Sequence, residues 1–460
     1  MATLIDATSA AFLIGESKNQ PMHVAGLQIF EPPPGADPDF IRAAYERAIT
    51  TPDLQPLFRR KPAMLIPRVG PWIWTEDHDV DLEFHVRHSA LPQPGRVREL
   101  LELVSRLHGS AMSRDRPMWE THVIEGLADG RFAIYTKLHH SLVDGISAMR
   151  LLQRSMTKDA DERDMPFPFE RRTTSQKPRR TATQSPDLVR ALRSGLALSA
   201  EAAGMPSAMI STLNRGARGE VSAVSFGAPR SAFNVPISSA RRFAADSWPL
   251  ARLLAVGRAT NTTLNDVVLA MCGGAIRSYL LDLNKLPDHS LVSMVPIGLK
   301  SRSAGAEGGN AVGSVMVKLE TQTPDAGIRL AAISQSMQSG KEALSAMTPA
   351  QIVAVSGLGM LPALALPALG IYGITRPFNL VISNVPGSRE VQYFNGARLT
   401  DTYPVSIPLN GYALNITCNS YADSMGFGLT GCRRAVPSLQ RLLGYLDREL
   451  AALEVAAGLT

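Results

Sequence analysis

Hydrophobic positions along the chain follow two rhythms. Residues 24–30 form an almost unbroken apolar run that stops at a triplet of prolines, Pro32 to Pro34. In 131–138 the bulky side chains of Phe132, Ile134 and Leu138 fall at alternate positions and so share one face. Both patterns predict strands, because successive side chains of an extended chain point to opposite sides. Runs 290–296, 313–320, 379–383, 412–421 and 425–432 read the same way. Helical spacing of apolar residues appears over 97–112, 145–156, 264–283, 327–345 and 438–455. Asp6 or Thr8 is placed to cap a short helix through Ala10, Phe12 and Leu13. Strands and helices mix in both halves, which predicts an α/β protein of two domains, 1–160 and 215–460, joined by 161–214.

Composition narrows the class. A chain of 460 residues has room for two or three cores, and with 45% apolar and 19% charged residues it is not a disordered polymer. The three cysteines, Cys272, Cys418 and Cys432, include no C-x-x-C pair, which argues against a disulfide scaffold or a four-cysteine zinc site and fits a reducing compartment. The formal charge is +6. Between 170 and 193, seven basic side chains face two acidic ones, a net +5 in a stretch rich in Ser, Thr, Gln and Pro. We read 156–190 as a mobile linker: either a solvated connector or a patch that attracts anionic lipid head groups or a phosphorylated cofactor. No aromatic residue interleaves the arginines, so stacking on nucleic-acid bases is unsupported.

The first 22 residues carry Asp6 and Glu16 and no basic n-region, unlike a signal peptide. Residues 343–375 hold no charge, and 353–374 are almost all apolar, but Pro362, Pro367 and glycines 357, 359, 370 and 373 would break a single spanning helix. Short helices are expected, lining an apolar tunnel, dipping into a membrane surface, or forming an ordinary buried hairpin.

The stretch with most chemistry is Lys137-Leu138-His139-His140-Ser141-Leu142-Val143-Asp144-Gly145, where a strand pattern stops and a helix pattern starts. Three readings compete. Two histidines and Asp144 could ligate a metal, but adjacent residues of a strand point to opposite faces and no third ligand is evident nearby. The histidines could be satisfied locally while Asp144 caps the next helix. Or one imidazole is a general base oriented by Asp144, with Gly145 allowing a backbone turn that a Cβ would block.

His139-His140-Ser141-Leu142-Val143-Asp144-Gly145 matches the HHxxxDG signature of CoA-dependent acyltransferases. With Pro21-Met22-His23-Val24, Arg116-Pro117-Met118-Trp119-Glu120, Leu264-Asn265-Asp266-Val267, Ser383-Asn384-Val385-Pro386-Gly387 and Leu414-Asn415-Ile416-Thr417, the chain resembles, over nearly its full length, the bacterial wax ester synthase/diacylglycerol acyltransferase family. It departs from the family pattern at Met118, where leucine is usual, and at Ser388, where proline is usual.

The resemblance implies two chloramphenicol-acetyltransferase-like lobes, each a mixed sheet flanked by helices, with a tunnel between them. It implies transfer of a fatty acyl group from acyl-CoA to a long-chain alcohol or to diacylglycerol. His140 would be the general base, His139 supportive, Asp144 structural and held by an arginine, and no covalent intermediate would form; the absence of a G-x-S-x-G elbow agrees. Candidate oxyanion donors or active-site polar groups are Asn384, Asn415, Thr417, Asn265 and Asp266, though Asn265-Asp266 opens a helix and reads equally as a cap. Val143 and 343–375 are candidate walls of the acyl channel. Expected partners are acyl-CoA as co-substrate, the alcohol or diacylglycerol, and a membrane or lipid-droplet surface reached from the cytoplasm; no metal, redox cofactor or nucleic acid is implied. Alternatives are another HHxxxDG transferase that takes its acyl group from a carrier-protein thioester, and a non-catalytic lipid-body binding protein.

Overall fold

The computed structural model of the chain describes residues 3–65, 70–171, 227–298, 312–345, 347–348, 351–352 and 376–459. Its strands are β1 (Thr3–Leu4), β2 (His23–Glu31), β3 (Arg60–Met64), β4 (Trp72–Glu76), β5 (Val86–Ala90), β6 (Trp119–Glu125), β7 (Phe132–His139), β8 (Arg241–Pro249), β9 (Val292–Gly298), β10 (Val312–Lys318), β11 (Leu380–Val385), β12 (Tyr393–Phe394), β13 (Ala397–Val405), β14 (Leu414–Tyr421) and β15 (Ser424–Cys432). The helices are α1 (Ala7–Gly15), α2 (Phe40–Ile49), α3 (Leu82–His85), α4 (Val97–Gly109), α5 (Gly145–Gln153), α6 (Leu250–Ala259), α7 (Leu264–Asp282), α8 (Ala326–Ser345) and α9 (Arg441–Ala456). The predicted strands coincide with β2, β7, β9, β10, β11, β14 and β15, and the predicted helices with α4, α5, α7, α8 and α9. Asp6 caps α1, its carboxylate accepting from the Ser9 N–H at 2.9 Å.

Two mixed six-stranded sheets carry the fold, in the orders β12-β13-β2-β7-β6-β5 and β10-β9-β11-β14-β15-β8, with a small sheet β1-β4-β3 beside them. One face of the second sheet, with Leu380, Ile382, Leu414, Ile416 and Phe427, packs on α7, α8 and α9. Alternation turns Val381 and Met294 to its other face, where they join Phe30 and Leu138 of the first sheet and Leu151 of α5 in one core. The two lobes therefore share buried apolar area rather than sitting apart. α5 reaches β2 closely because Gly26 has no side chain: a Cβ there would lie 2.3 Å from Leu152 Cδ1. α7 is long and apolar enough to cross a membrane, but 72% of its apolar window is buried inside the second lobe.

Two sequence expectations need amending. The linker does not begin at 156 or 161: Met165, Phe167 and Phe169 are buried, Phe169 stacks on Trp119 with ring centroids 5.0 Å apart, and Leu54 bridges Glu170. Their apolar area outweighs the polar character of the arginine-rich sequence that follows, of which 172–226 lies outside the described residues. Nor do the lobes divide cleanly at 160 and 215. β13 leaves the C-terminal half and pairs antiparallel with β2, with Val405 opposite Ala25 and Arg398 opposite Glu31, so 393–405 completes the first sheet. Residues 353–375, most of the candidate apolar wall, also lie outside the described residues.

Candidate active site

β7 ends at His139 and α5 begins at Gly145, so the signature occupies the loop between strand and helix. Backbone hydrogen bonds fix the strand's end. The His139 N–H donates to the Met118 carbonyl at 3.0 Å, and the His140 N–H to the Met22 carbonyl at 2.8 Å. Met22 and Met118 are fully buried and come from the 21–24 and 116–120 stretches singled out in the sequence. Those stretches clamp the two histidines from either side.

His140 is half-buried, with Phe12 of α1 stacked on its ring at 4.0 Å and 17°. Its Nδ1 is enclosed and, among the described residues, has no hydrogen-bond partner. Burial lowers the imidazole's pKa to about 4, His139 acting in the same sense; the residue's own backbone acceptor and Asp144 pull the other way. The His140 ring is thus uncharged over the whole cellular range.

His139 is placed differently. It is fully buried, and the Ser141 N–H donates to its Nδ1 at 3.1 Å. Nδ1 therefore carries the lone pair and Nε2 the hydrogen, facing Glu16 Oε1 at 3.4 Å. Glu16 also accepts from the Met22 N–H at 3.1 Å and from Arg114 Nη2 at 3.0 Å. Burial alone would raise the Glu16 pKa, but His139, the Met22 N–H and Arg114 hold it below the ordinary value.

Behind His139, on the same face of β7, the wholly buried Lys137 lies 3.0 Å from Glu120 Oε2 and donates to the Leu107 and Ser110 carbonyls at the end of α4. Burial pushes Glu120 upward, but His122, Lys137 and Arg87 together bring it down to about 2.

Asp144 is the N-cap of α5: Oδ1 accepts from the Ser147 N–H at 2.7 Å and Oδ2 from the Ser147 hydroxyl at 3.1 Å. Among the described ion pairs none joins it to an arginine, so its partner is the helix start instead. The expectation for Gly145 is corrected. It has no left-handed φ, and among the described residues a Cβ built on it would meet nothing within 4 Å. No turn there needs glycine. Val143 packs against the shared core of the two lobes, and Ile146, Met149 and Leu152 contact Val385 of β11, which puts the loop at their junction.

The other polar candidates separate. Asn415 and Thr417 pair with Val381 and Ser383 and so lie on the second-sheet face turned to the first lobe, with Thr417 Oγ1 donating to Asn415 Oδ1 at 2.9 Å. Asn384 pairs with Cys418 and belongs to the opposite, helix-covered face. Asn265 and Asp266 begin α7, in the helical layer beyond that sheet. Asp266 closes a capping box with Thr263 and accepts from Ser334 of α8 at 3.1 Å, so this carboxylate organises helices. Sequence reasoning missed Phe12, Glu16, Arg114 and the Lys137–Glu120 pair. An isolated acid in an N-terminal arm gives no signal, whereas a lysine amid the apolar residues of β7 was readable as a buried, partnered charge.

Two helix-faced mixed sheets meeting at a His-His-x-x-x-Asp-Gly loop define a two-lobed acyltransferase of the CoA-dependent class. The profile described as wax ester synthase/diacylglycerol acyltransferase catalytic domain matches residues 5–268, and that of the WS/DGAT C-terminal domain matches 308–454. The chain belongs to that family and is an O-acyltransferase. A Mycobacterium tuberculosis protein named as a diacylglycerol O-acyltransferase is 48% identical over 98% of this chain and 99% of its own. A second from that organism, tgs2, is 44% identical over 99% of this chain and 100% of its own. The structure of a wax ester synthase/diacylglycerol acyltransferase from Marinobacter aquaeolei VT8 superposes with a TM-score of 0.80 at 40% identity, covering 99% of this chain and 100% of that one. The first condensation domain of the calcium-dependent antibiotic synthetase shares the fold at a TM-score of 0.60 and 16% identity, over 99% of this chain and 97% of that one.

Proposed function

We propose that the protein moves a fatty acyl group from acyl-CoA to the free hydroxyl of diacylglycerol or a long-chain alcohol, with His140 as general base and no acyl-enzyme. The observation that carries the reading is the contrast between the two histidines: His139 is wholly buried, with Nδ1 accepting from the Ser141 N–H and Nε2 facing Glu16, while the half-buried His140 ring makes no side-chain hydrogen bond among the described residues, in a loop at the junction of the lobes. Nε2 takes the hydroxyl proton as the oxygen attacks the thioester carbonyl. The tetrahedral oxyanion collapses, the C–S bond breaks, and the imidazolium returns its proton to the CoA sulfur. A thiol with a pKa near 8.5 leaves easily, so no enzyme nucleophile is needed. Asn415 is on the sheet face turned to the first lobe, and with its Oδ1 held by the Thr417 hydroxyl its amide N–H is our candidate donor to the oxyanion. Val143 is our candidate for the acyl-channel wall. The chemistry within this reading uses no metal or redox cofactor.

The names of the mycobacterial relatives favour diacylglycerol as acceptor. We also place the protein at a lipid surface on the cytoplasmic side, an inner membrane or a lipid inclusion. Leu4 of β1, Ile14 of α1 and Leu65 just after β3 are more than half exposed, an apolar presentation suited to such contact. Thiol release on mixing the protein with palmitoyl-CoA and vesicles containing either dipalmitoylglycerol or hexadecanol tests both parts. Free CoA should appear only with an acceptor present, and the protein should sediment with the vesicles. Thiol release that demands an acyl-carrier protein, or none at all, would contradict the reading.

A further inference from the structure

We propose that Glu16 is a positioning residue for His140, holding the N-terminal arm and its Phe12 ring against the imidazole. The inference rests on His140 being the base. Glu16 sits where four constraints on that ring meet. Its Oε1 accepts the N–H of Met22, the residue whose carbonyl receives the His140 N–H. The same oxygen faces Nε2 of His139, the residue just before. Its Oε2 accepts from Arg114 Nε and Nη2, at 3.2 and 3.0 Å, and Arg114 Nη2 donates in turn to the Leu13 carbonyl at 2.6 Å. Leu13 directly follows Phe12, the ring stacked on His140. The carboxylate is almost fully buried, with both oxygens engaged, whereas the arm it fastens is a short helix, which would not hold one orientation on its own.

The arm acts through placement and through desolvation. With Phe12 over one face, His140 is shielded from water and stays neutral. The ionisable groups nearest it are His139, the residue before it at the end of β7, His23 on β2 paired opposite His139, Asp144 at the head of α5, Glu16 on the arm and Arg114 on the loop before β6. Glu16 reaches His140 only through Phe12, Met22 and His139, so it is not itself a proton-transfer group.

The test is the pH dependence of thiol release by Glu16→Gln and Phe12→Leu. Glu16→Gln puts an uncharged amide against Arg114 and loosens the arm; kcat should fall about 100-fold, as displaced catalytic groups cost, with the KM for palmitoyl-CoA little changed. The acid limb of kcat/KM should move up towards the ordinary histidine value near 6.5 as the ring hydrates. Phe12→Leu keeps Glu16 and the apolar bulk but removes the stacked ring, and its acid limb should shift the same way. Should Glu16→Gln fail to fold, Phe12→Leu decides alone. Folded variants whose acid limb and kcat match the wild type would overturn the positioning role. His140→Ala separates the two ideas: an inactive His140→Ala beside unshifted arm variants leaves the base standing and removes only Glu16. An active His140→Ala removes both.

Discussion

On the proposed reading His140 accepts a proton, which requires a neutral ring at the working pH, and burial lowers its pKa in that direction. Its pKa, lowered to about 4, leaves the base form intact above that value, so the rate should be flat from pH 5 to 8 and fall as pH drops through 4. Stability follows the same sign. Because the folded pKa lies below that of the unfolded chain, the ring's contribution is complete above 6.5 and is lost as pH falls through 4. Asp144 works beside it as a cap. Asp144→Ala should cost about 1 kcal/mol in urea unfolding, while Asp144→Asn, which keeps an oxygen for the Ser147 N–H, should cost a fraction of that. Equal losses for the two variants would mean that the charge itself, and not the cap, holds the loop. The importance of 139–145 was legible because histidines, acid and glycine stand together in sequence. The division of labour between the histidines was not, since it depends on Glu16 and Phe12, side chains more than a hundred residues away.

At the scale of elements, the site is a strand end held from behind. Lys137 ties β7 to β6 through Glu120 and to the end of α4 through two carbonyls, so the strand delivering the histidines is fastened on the face away from α5. Removing one member of such a pair strands the other charge in the interior. Lys137→Met should destabilise by roughly 3–5 kcal/mol, and pairing it with Glu120→Met should recover part of that loss. Unfolding midpoints that simply add would show that the two side chains do not interact. Strands such as β7 and β14 and helices such as α5 and α7 were readable from periodicity because each presents one apolar face to a layer. β3, β5 and β8 were not predicted. They are short or carry arginines and histidines, as at Arg87 and His88 in β5, so alternation is weak in them.

Over the whole molecule, the two lobes are interlocked. β13 crosses from the C-terminal half to finish the first sheet, α4 packs between the first sheet and β8, and a common core runs from Phe30 to Met316. Interleaved strands and helices foretold two α/β lobes. The crossing could not be foretold, because the partner of β13 lies some 370 residues earlier and a local pattern carries no record of distant pairing. The interlock matters for the proposed chemistry: Val143 and the head of α5 rest on core residues of both lobes, so the base we propose, His140, lies in a loop at their junction. The most direct test of that claim is single-turnover thiol release from palmitoyl-CoA, with acceptor present, by a folded His140→Ala variant. The account predicts a loss of roughly 100- to 10,000-fold with the unfolding midpoint preserved. Undiminished turnover by that variant would contradict it.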